Sequence, residues 1–175
     1  MTKLYIAYGS NMDEKQMAYR CPDAGLVGTG TVEGYRLLFK GGADHAYATI
    51  EPEKAGRVPV LVWKISKVDE RRLDRYEGFP KFYYKKEVPV LINGQKKEAM
   101  VYIMDEKNSR NRPSSEYYQI LETAYRKFKF DDVELLQALE ESCPKEHAEE
   151  RIRVPETGTI ICTRKSRNDC AGYGF

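Results

Sequence analysis

Tyr5-Ile6-Ala7-Tyr8-Gly9-Ser10-Asn11 is the stretch on which the reading of this chain turns. Its first half is an apolar run suited to a buried strand. Its second half is a sharp turn built from Gly, Ser and Asn. A helix is expected to start at once, with Asn11 as its N-cap and Glu14, three residues on, as capping-box partner. A strand that feeds a helix start in this way gathers backbone N–H groups at one point, where they can hold a carboxylate or a developing oxyanion. Gly9 allows a ligand to approach the backbone closely. The same residues also fit an ordinary strand–turn–helix junction, which spacing alone favours.

Working outward, residues 4–7 form the first strand and residues 12–20 a short helix with Met17 inward, ended before Pro22. Residues 25–34 read as a glycine-punctuated connection and residues 35–39 as a second strand, followed by a turn at Gly41-Gly42. Residues 46–50 are a further strand, stopped by Pro52. Residues 58–65 are the strongest apolar run, with Pro59 placing their beginning at an edge or a strand start.

Ser66 and Asp69 have capping-box spacing for the next helix. On it Leu73, Tyr76 and Glu77 fall at i, i+3 and i+4 and share a face, and Gly78 suits the position just past the helix end. If Leu73 points at the core, Glu77 lies beside it at the negative end of the helix. Both conditions raise a carboxylate's pKa and suit a general base near neutral pH. The pattern alone favours a frayed, solvated glutamate.

Residues 82–92 and 96–104 flank Asn93-Gly94, a two-residue type I′ signal, and form the clearest hairpin of the chain. After a polar loop at 105–112, Pro113-Ser114-Ser115 starts a helix running to about Phe128, with Tyr118, Leu121, Tyr125 and Phe128 as its apolar stripe. Tyr117 lies off that stripe, where its hydroxyl can reach a pocket. A second helix starts at Asp131, with Val133, Leu135, Leu136 and Leu139 as its apolar positions. Short strands are expected at 152–154 and 159–163, and a mobile basic tail at 164–175.

With 175 residues, 41% hydrophobic and 32% charged, the chain suits one ordinary globular domain. A net charge of +2 gives no reason to expect nucleic acid or an anionic membrane as partner. No stretch approaches the ~20 apolar residues of a spanning helix, and no basic-then-apolar leader opens the chain, so a cytoplasmic location is expected. Cys21, Cys143, Cys162 and Cys170 form no C-x-x-C pair, and reduced structural thiols are the expectation. A zinc set of Cys143, His147, Cys162 and Cys170 fits no common finger spacing. His45 and His147 stand without a Ser or Cys motif beside them, so no nucleophile triad is supported.

Three separated pieces then fall together. Tyr5 to Met12 resembles the signature loop of the γ-glutamylcyclotransferase family, including its γ-glutamylamine and plant-type relatives. Leu73-Asp74-Arg75-Tyr76-Glu77-Gly78, followed by Tyr83-Tyr84, resembles that family's catalytic-glutamate segment. Pro113-Ser114-Ser115-Glu116-Tyr117 resembles its Pro-Ser-x-x-Tyr element. Ala48-Thr49-Ile50 and Val62-Trp63-Lys64 resemble its barrel strands. The three motifs stand in the family's order, and the resemblance covers residues 4 to about 141.

The resemblance implies an α+β fold, a small mixed β-barrel with flanking helices, over residues 1–142, with 143–175 as a C-terminal extension of unknown role. It implies Glu77 as catalytic acid and base, and Tyr5, Ile6, Ala7, Tyr8, Gly9, Ser10, Asn11 and Tyr117 as substrate-binding residues. No metal or cofactor is implied. The implied reaction cyclises a small γ-glutamyl amide or amino acid, releasing 5-oxoproline and an amine or amino acid. The protein is expected as a monomer or homodimer. Two other readings compete. A non-catalytic or regulatory small-metabolite binder on the same scaffold would keep the turn but would not need an inward Glu77. A protein–protein module would use the tyrosines and the basic tail, although 13 tyrosines are more simply strand residues.

Overall fold

The computed structural model describes residues 2–42 and 45–142. Strand β1 (Lys3–Ala7) pairs antiparallel with β3 (His45–Ile65), placing Tyr5 opposite Trp63, and parallel with β5 (Gln95–Met104), placing Tyr5 opposite Met100. Strand β2 (Gly25–Gly42) runs antiparallel along β3 and meets β4 (Tyr83–Ile92) at Thr31 and Leu91. The order β1-β3-β2-β4-β5 closes into a barrel. Closing a sheet on itself is one way of protecting the edge strands that would otherwise template aggregation.

The hairpin of β4 and β5 turns on Asn93 (φ 49°) and Gly94 (φ 75°), as the Asn-Gly pair dictates. Elsewhere the strands are longer than the sequence signals suggested. Residues 25–34 are not a connection: β2 is continuous through them, and its glycines serve register shifts at Leu26/Gly28 and Glu33/Tyr35. A bulge of this kind takes up one extra residue and bends the strand without ending it. Pro52 does not stop β3, because it lies opposite Tyr35, where the ladder is already interrupted. Nor do Gly41 and Gly42 form a turn: they are still strand, paired with Ala46 and His45.

The buried core includes Ile6, Phe39, Ile50, Val60, Val62 and their neighbours. Val60, Leu61, Val62 and Trp63 are buried without alternation, so both faces of β3 are covered there. Met17 of α1 (Glu14–Arg20) and Leu73 of α2 (Lys67–Tyr76) are fully buried in the same cluster. Asn11 is not the cap of α1. Residues Ser10–Met12 form a 3-10 turn, and Asp13 caps the helix by accepting from the N–H groups of Lys15 and Gln16. The Asn11 amide is engaged elsewhere, as described below.

Ser66 and Asp69 form the expected capping box on α2. Ser114 caps α3 (Ser115–Phe128), which buries Leu121, Ala124 and Tyr125. In α4 (Val133–Glu141) the buried residues are Leu135 and Ala138, while Val133 is 56% and Leu136 47% exposed. Positions 135, 138 and 139 lie on one face of a 3.6-residue helix, and Leu136 is rotated about 100° away from 135. Among the described residues no helix is long and apolar enough to cross a membrane. The strands expected at 152–154 and 159–163, the tail at 164–175, and Cys143, His147, Cys162 and Cys170 lie outside the described residues.

Candidate active site

Strand β1 leads into Gly9 and the 3-10 turn, where Met12 N–H donates to the Gly9 carbonyl at 2.9 Å and Asp13 N–H to that of Ser10 at 3.1 Å. Gly9 makes room for a close approach: a Cβ there would lie 3.0 Å from the Tyr117 hydroxyl, which would have to give way. That hydroxyl, at the start of α3, accepts from Ala48 N–H of β3 at 3.1 Å. The first strand, the third strand and the third helix thus meet at one point.

Helix α2 delivers the acid. Glu77 ends the helix, its N–H donating to the Leu73 carbonyl at 2.8 Å. Gly78 follows with φ 65°, and Phe79 N–H returns to the Asp74 carbonyl at 2.9 Å. This is the Schellman arrangement, in which a glycine takes the left-handed conformation and the last carbonyls are satisfied. It fixes the direction in which Glu77 leaves the helix.

Glu77, Gly9, Ser10, Asn11 and Tyr117 line one chamber, together with Tyr5, Ile6, Tyr8, Ala48, Tyr83 and Tyr102. Of the residues expected from sequence, only Ala7 is not among its walls; it is buried and pairs with Leu61. The tyrosine hydroxyls at the site are held. Tyr8 donates to the Tyr102 carbonyl, Tyr83 to the Ala48 carbonyl at 2.9 Å, and Tyr102 to Asp74 Oδ1 at 2.6 Å. Burial pushes Tyr5, Tyr8, Tyr83 and Tyr117 well above the usual phenol range, so they remain neutral donors and acceptors.

The Glu77 carboxylate accepts from Asn11 Nδ2 at 2.9 Å, and the same Nδ2 reaches the Tyr5 hydroxyl at 2.8 Å. On the other side, Asn11 Oδ1 accepts from Arg20 Nη1 at 2.7 Å. Arginine can only donate, so its position dictates which end of the Asn11 amide faces Glu77. Arg20 is itself fixed: it donates to Gln16 Oε1 and Ser10 Oγ and stacks on the Tyr76 ring at 3.8 Å. Burial raises Glu77 from 4.5 to about 7, while the Arg20 charge and the Asn11 hydrogen bond pull it back. The group can take up or release a proton near neutrality.

The sequence reading did not single out Arg20, Ala48 or Tyr102. Arg20 has a local signal, but it is a misleading one, since a basic residue in a helix's last turn reads as complementing the helix dipole.

Comparisons with known proteins agree with this architecture. A solved gamma-glutamyl cyclotransferase structure matches with a TM-score of 0.72 at 24% identity, over 84% of this chain and 91% of that one. An uncharacterized protein from Homo sapiens matches with a TM-score of 0.71 at 24% identity, over 91% of this chain and 94% of that one. YkqA from Bacillus subtilis matches at 0.68 and 19% identity, over 81% of this chain but only 54% of its own. These similarities establish the barrel. No curated protein matches. The family model described as gamma-glutamyl cyclotransferase, AIG2-like, matches residues 5–127, which include the turn at Gly9, Glu77 and Tyr117. The chain belongs to the gamma-glutamyl cyclotransferase, AIG2-like family.

Proposed function

We propose that this protein is a cytoplasmic cyclotransferase that cleaves a small γ-glutamyl compound by intramolecular attack, with Glu77 as the proton-transferring residue. The observation that carries the reading is the Glu77 carboxylate. It sits in a chamber walled by the 3-10 turn and Tyr117, with its pKa raised to about 7 by burial.

The chemistry follows from the substrate. Its α-ammonium loses a proton to Glu77, and the free amine then attacks the γ-carbonyl carbon. The new C–N bond closes a five-membered ring, and the carbonyl oxygen takes negative charge. Backbone donors of Gly9, Ser10 and Asn11 are assigned to that oxygen. The protonated Glu77 returns its proton to the leaving nitrogen as the original amide bond breaks, and its freed carboxylate then carries the second proton of the ring nitrogen to the departing amine, which leaves as its ammonium. The products are 5-oxoproline and an amine or amino acid, and the balance needs no metal or other co-reactant. Intramolecular attack gains mainly from orientation, so the site's main task is to hold the substrate coiled. The fixed Tyr117 hydroxyl is assigned to that clamp.

The test is a 5-oxoproline assay on γ-glutamyl-alanine, γ-glutamyl-ε-lysine and a γ-glutamylamine, with Glu77→Gln alongside. Turnover of at least one compound, lost in the variant while its binding persists by calorimetry, is expected. Full turnover in Glu77→Gln, or binding of every compound without turnover by the wild type, overturns the reading; the second result points to a metabolite binder.

A further inference from the structure

The catalytic chamber shares Ser10, Glu77, Tyr83 and Tyr117 with a second, outer chamber of about 210 Å³. The outer walls are aromatic: Tyr47, Tyr76 and Phe82 join Tyr83 and Tyr117. Their rings brace one another edge to face. Tyr47 meets Tyr117 at 5.2 Å and 86°, and Phe82 at 6.4 Å and 81°; Phe82 meets Tyr83 at 5.3 Å and 65°. Such pairs hold the wall in shape before anything binds. The backbone turn after Gly78 places Phe82, whose N–H donates to the Gly78 carbonyl at 3.0 Å. Yet Tyr47 and Phe82 are each 38% exposed and Tyr76 is 50% exposed. A preformed aromatic surface left open beside a reactive carboxylate is what a ligand pocket presents.

Its charge is equally specific. None of the described residues lining the outer chamber is cationic. Arg20 lies against Tyr76, but its Nη groups are directed to Ser10, Asn11 and Gln16. A carboxylate in the chamber would face the Glu77 charge and the electron-rich faces of the rings, with no described cation in its walls to pair with. An apolar ring would stack.

Resting on the cyclotransferase reading, we infer that the outer chamber is the leaving-group subsite and that it selects γ-glutamyl amides of aromatic amines over γ-glutamyl amino acids. The glutamyl head belongs at the 3-10 turn and Tyr117. Glu77 must reach the scissile nitrogen, so whatever that nitrogen carries projects into the chamber that Glu77 shares.

The experiment is a matched set of three: γ-glutamyl-2-phenylethylamide, γ-glutamyl-phenylalanine and γ-glutamyl-methylamide. The first two differ only in the carboxylate, and the first and third only in the apolar body. The phenylethylamide is expected to exceed each of the others in kcat/KM by about tenfold or more, the scale of one well-read group in a pocket. Phe82→Ala should reduce the phenylethylamide-to-methylamide ratio by about tenfold, and Tyr47→Ala serves as a second, independent probe of the same ratio. A phenylethylamide-to-phenylalanine ratio at or below one, or ratios that neither variant moves, overturns the subsite while leaving the cyclotransferase reading intact. No 5-oxoproline from any of the three, nor from the compounds of the broader panel, overturns both.

Discussion

Replacing Glu77 by Gln should stabilise the protein at pH 8 and leave its stability unchanged at pH 4. The native carboxyl has a pKa of about 7 against 4.5 for the unfolded chain. Between those values the folded state holds a proton that the unfolded state has lost. Stability therefore falls as pH rises through the window, the reverse of a salt-bridged carboxylate. From 4.5 to about 7, at ~1.4 kcal/mol per unit, the loss by pH 8 is about 3 kcal/mol. Glutamine keeps an oxygen to accept from Asn11 and carries no charge, so it escapes the loss. For a chain of this length the gain corresponds to roughly 6–12 °C in melting temperature. Urea unfolding at pH 4, 6 and 8, followed by fluorescence of the single, buried Trp63, measures it. All other titrating groups are common to both proteins and cancel in the difference. A Gln-minus-Glu difference that does not change between pH 4 and pH 8 would refute the reasoning, whatever its size.

Arg20→Ala should move the midpoint of the kcat/KM–pH profile upward from about 7, because it removes the charge that holds Glu77 down; an unmoved midpoint would mean that Arg20 does not act on Glu77. Gly9→Ala brings a methyl to 3.0 Å from the Tyr117 hydroxyl and should lower kcat/KM about tenfold or more, with the circular dichroism spectrum unchanged. Cys21 is fully buried and its thiol is pushed up to about 12, chiefly by burial; in the native protein at pH 8 it should resist iodoacetamide, and it should be alkylated once the chain is unfolded in urea, as read by peptide mapping.

How far the sequence carried depended on where each signal was settled. Ser66 with Asp69, Ser114, Asn93-Gly94 and Gly78 all state local backbone requirements, and the structure meets each of them. Gly28, Gly34 and Pro52 carry the same kinds of residue but were misread as breaks. Their effect depends on a partner strand that can absorb a bulge, and a single segment does not reveal its partner. Asn11 failed as a cap for a related reason. Its amide has better partners in Tyr5, Glu77 and Arg20, and Asp13 stands two residues on to cap the helix instead. At the site, helical spacing put Glu77 beside Leu73, but spacing alone favoured a solvated glutamate. The resemblance to a family, not the periodicity, made the choice.

The arrangement around Glu77 also explains why an asparagine stands between it and the arginine. A base that works near neutrality needs a pKa near 7, and burial alone would push an isolated carboxyl higher. A guanidinium in direct contact would drive it back into the ordinary carboxylate range or below, and in the proposed mechanism the proton could then no longer be returned to a leaving nitrogen. Arg20 instead bonds to Asn11 Oδ1, and Asn11 Nδ2 bonds to Glu77. No ion pair joins Arg20 to Glu77 among the described residues. The amide passes on orientation while keeping the charge one residue away, so the carboxyl feels a moderated attraction. The turn residue that sequence reading placed at a helix cap therefore stands as a spacer between the two charges, and on the proposed mechanism it leaves Glu77 both basic enough to take a proton and acidic enough to give it back.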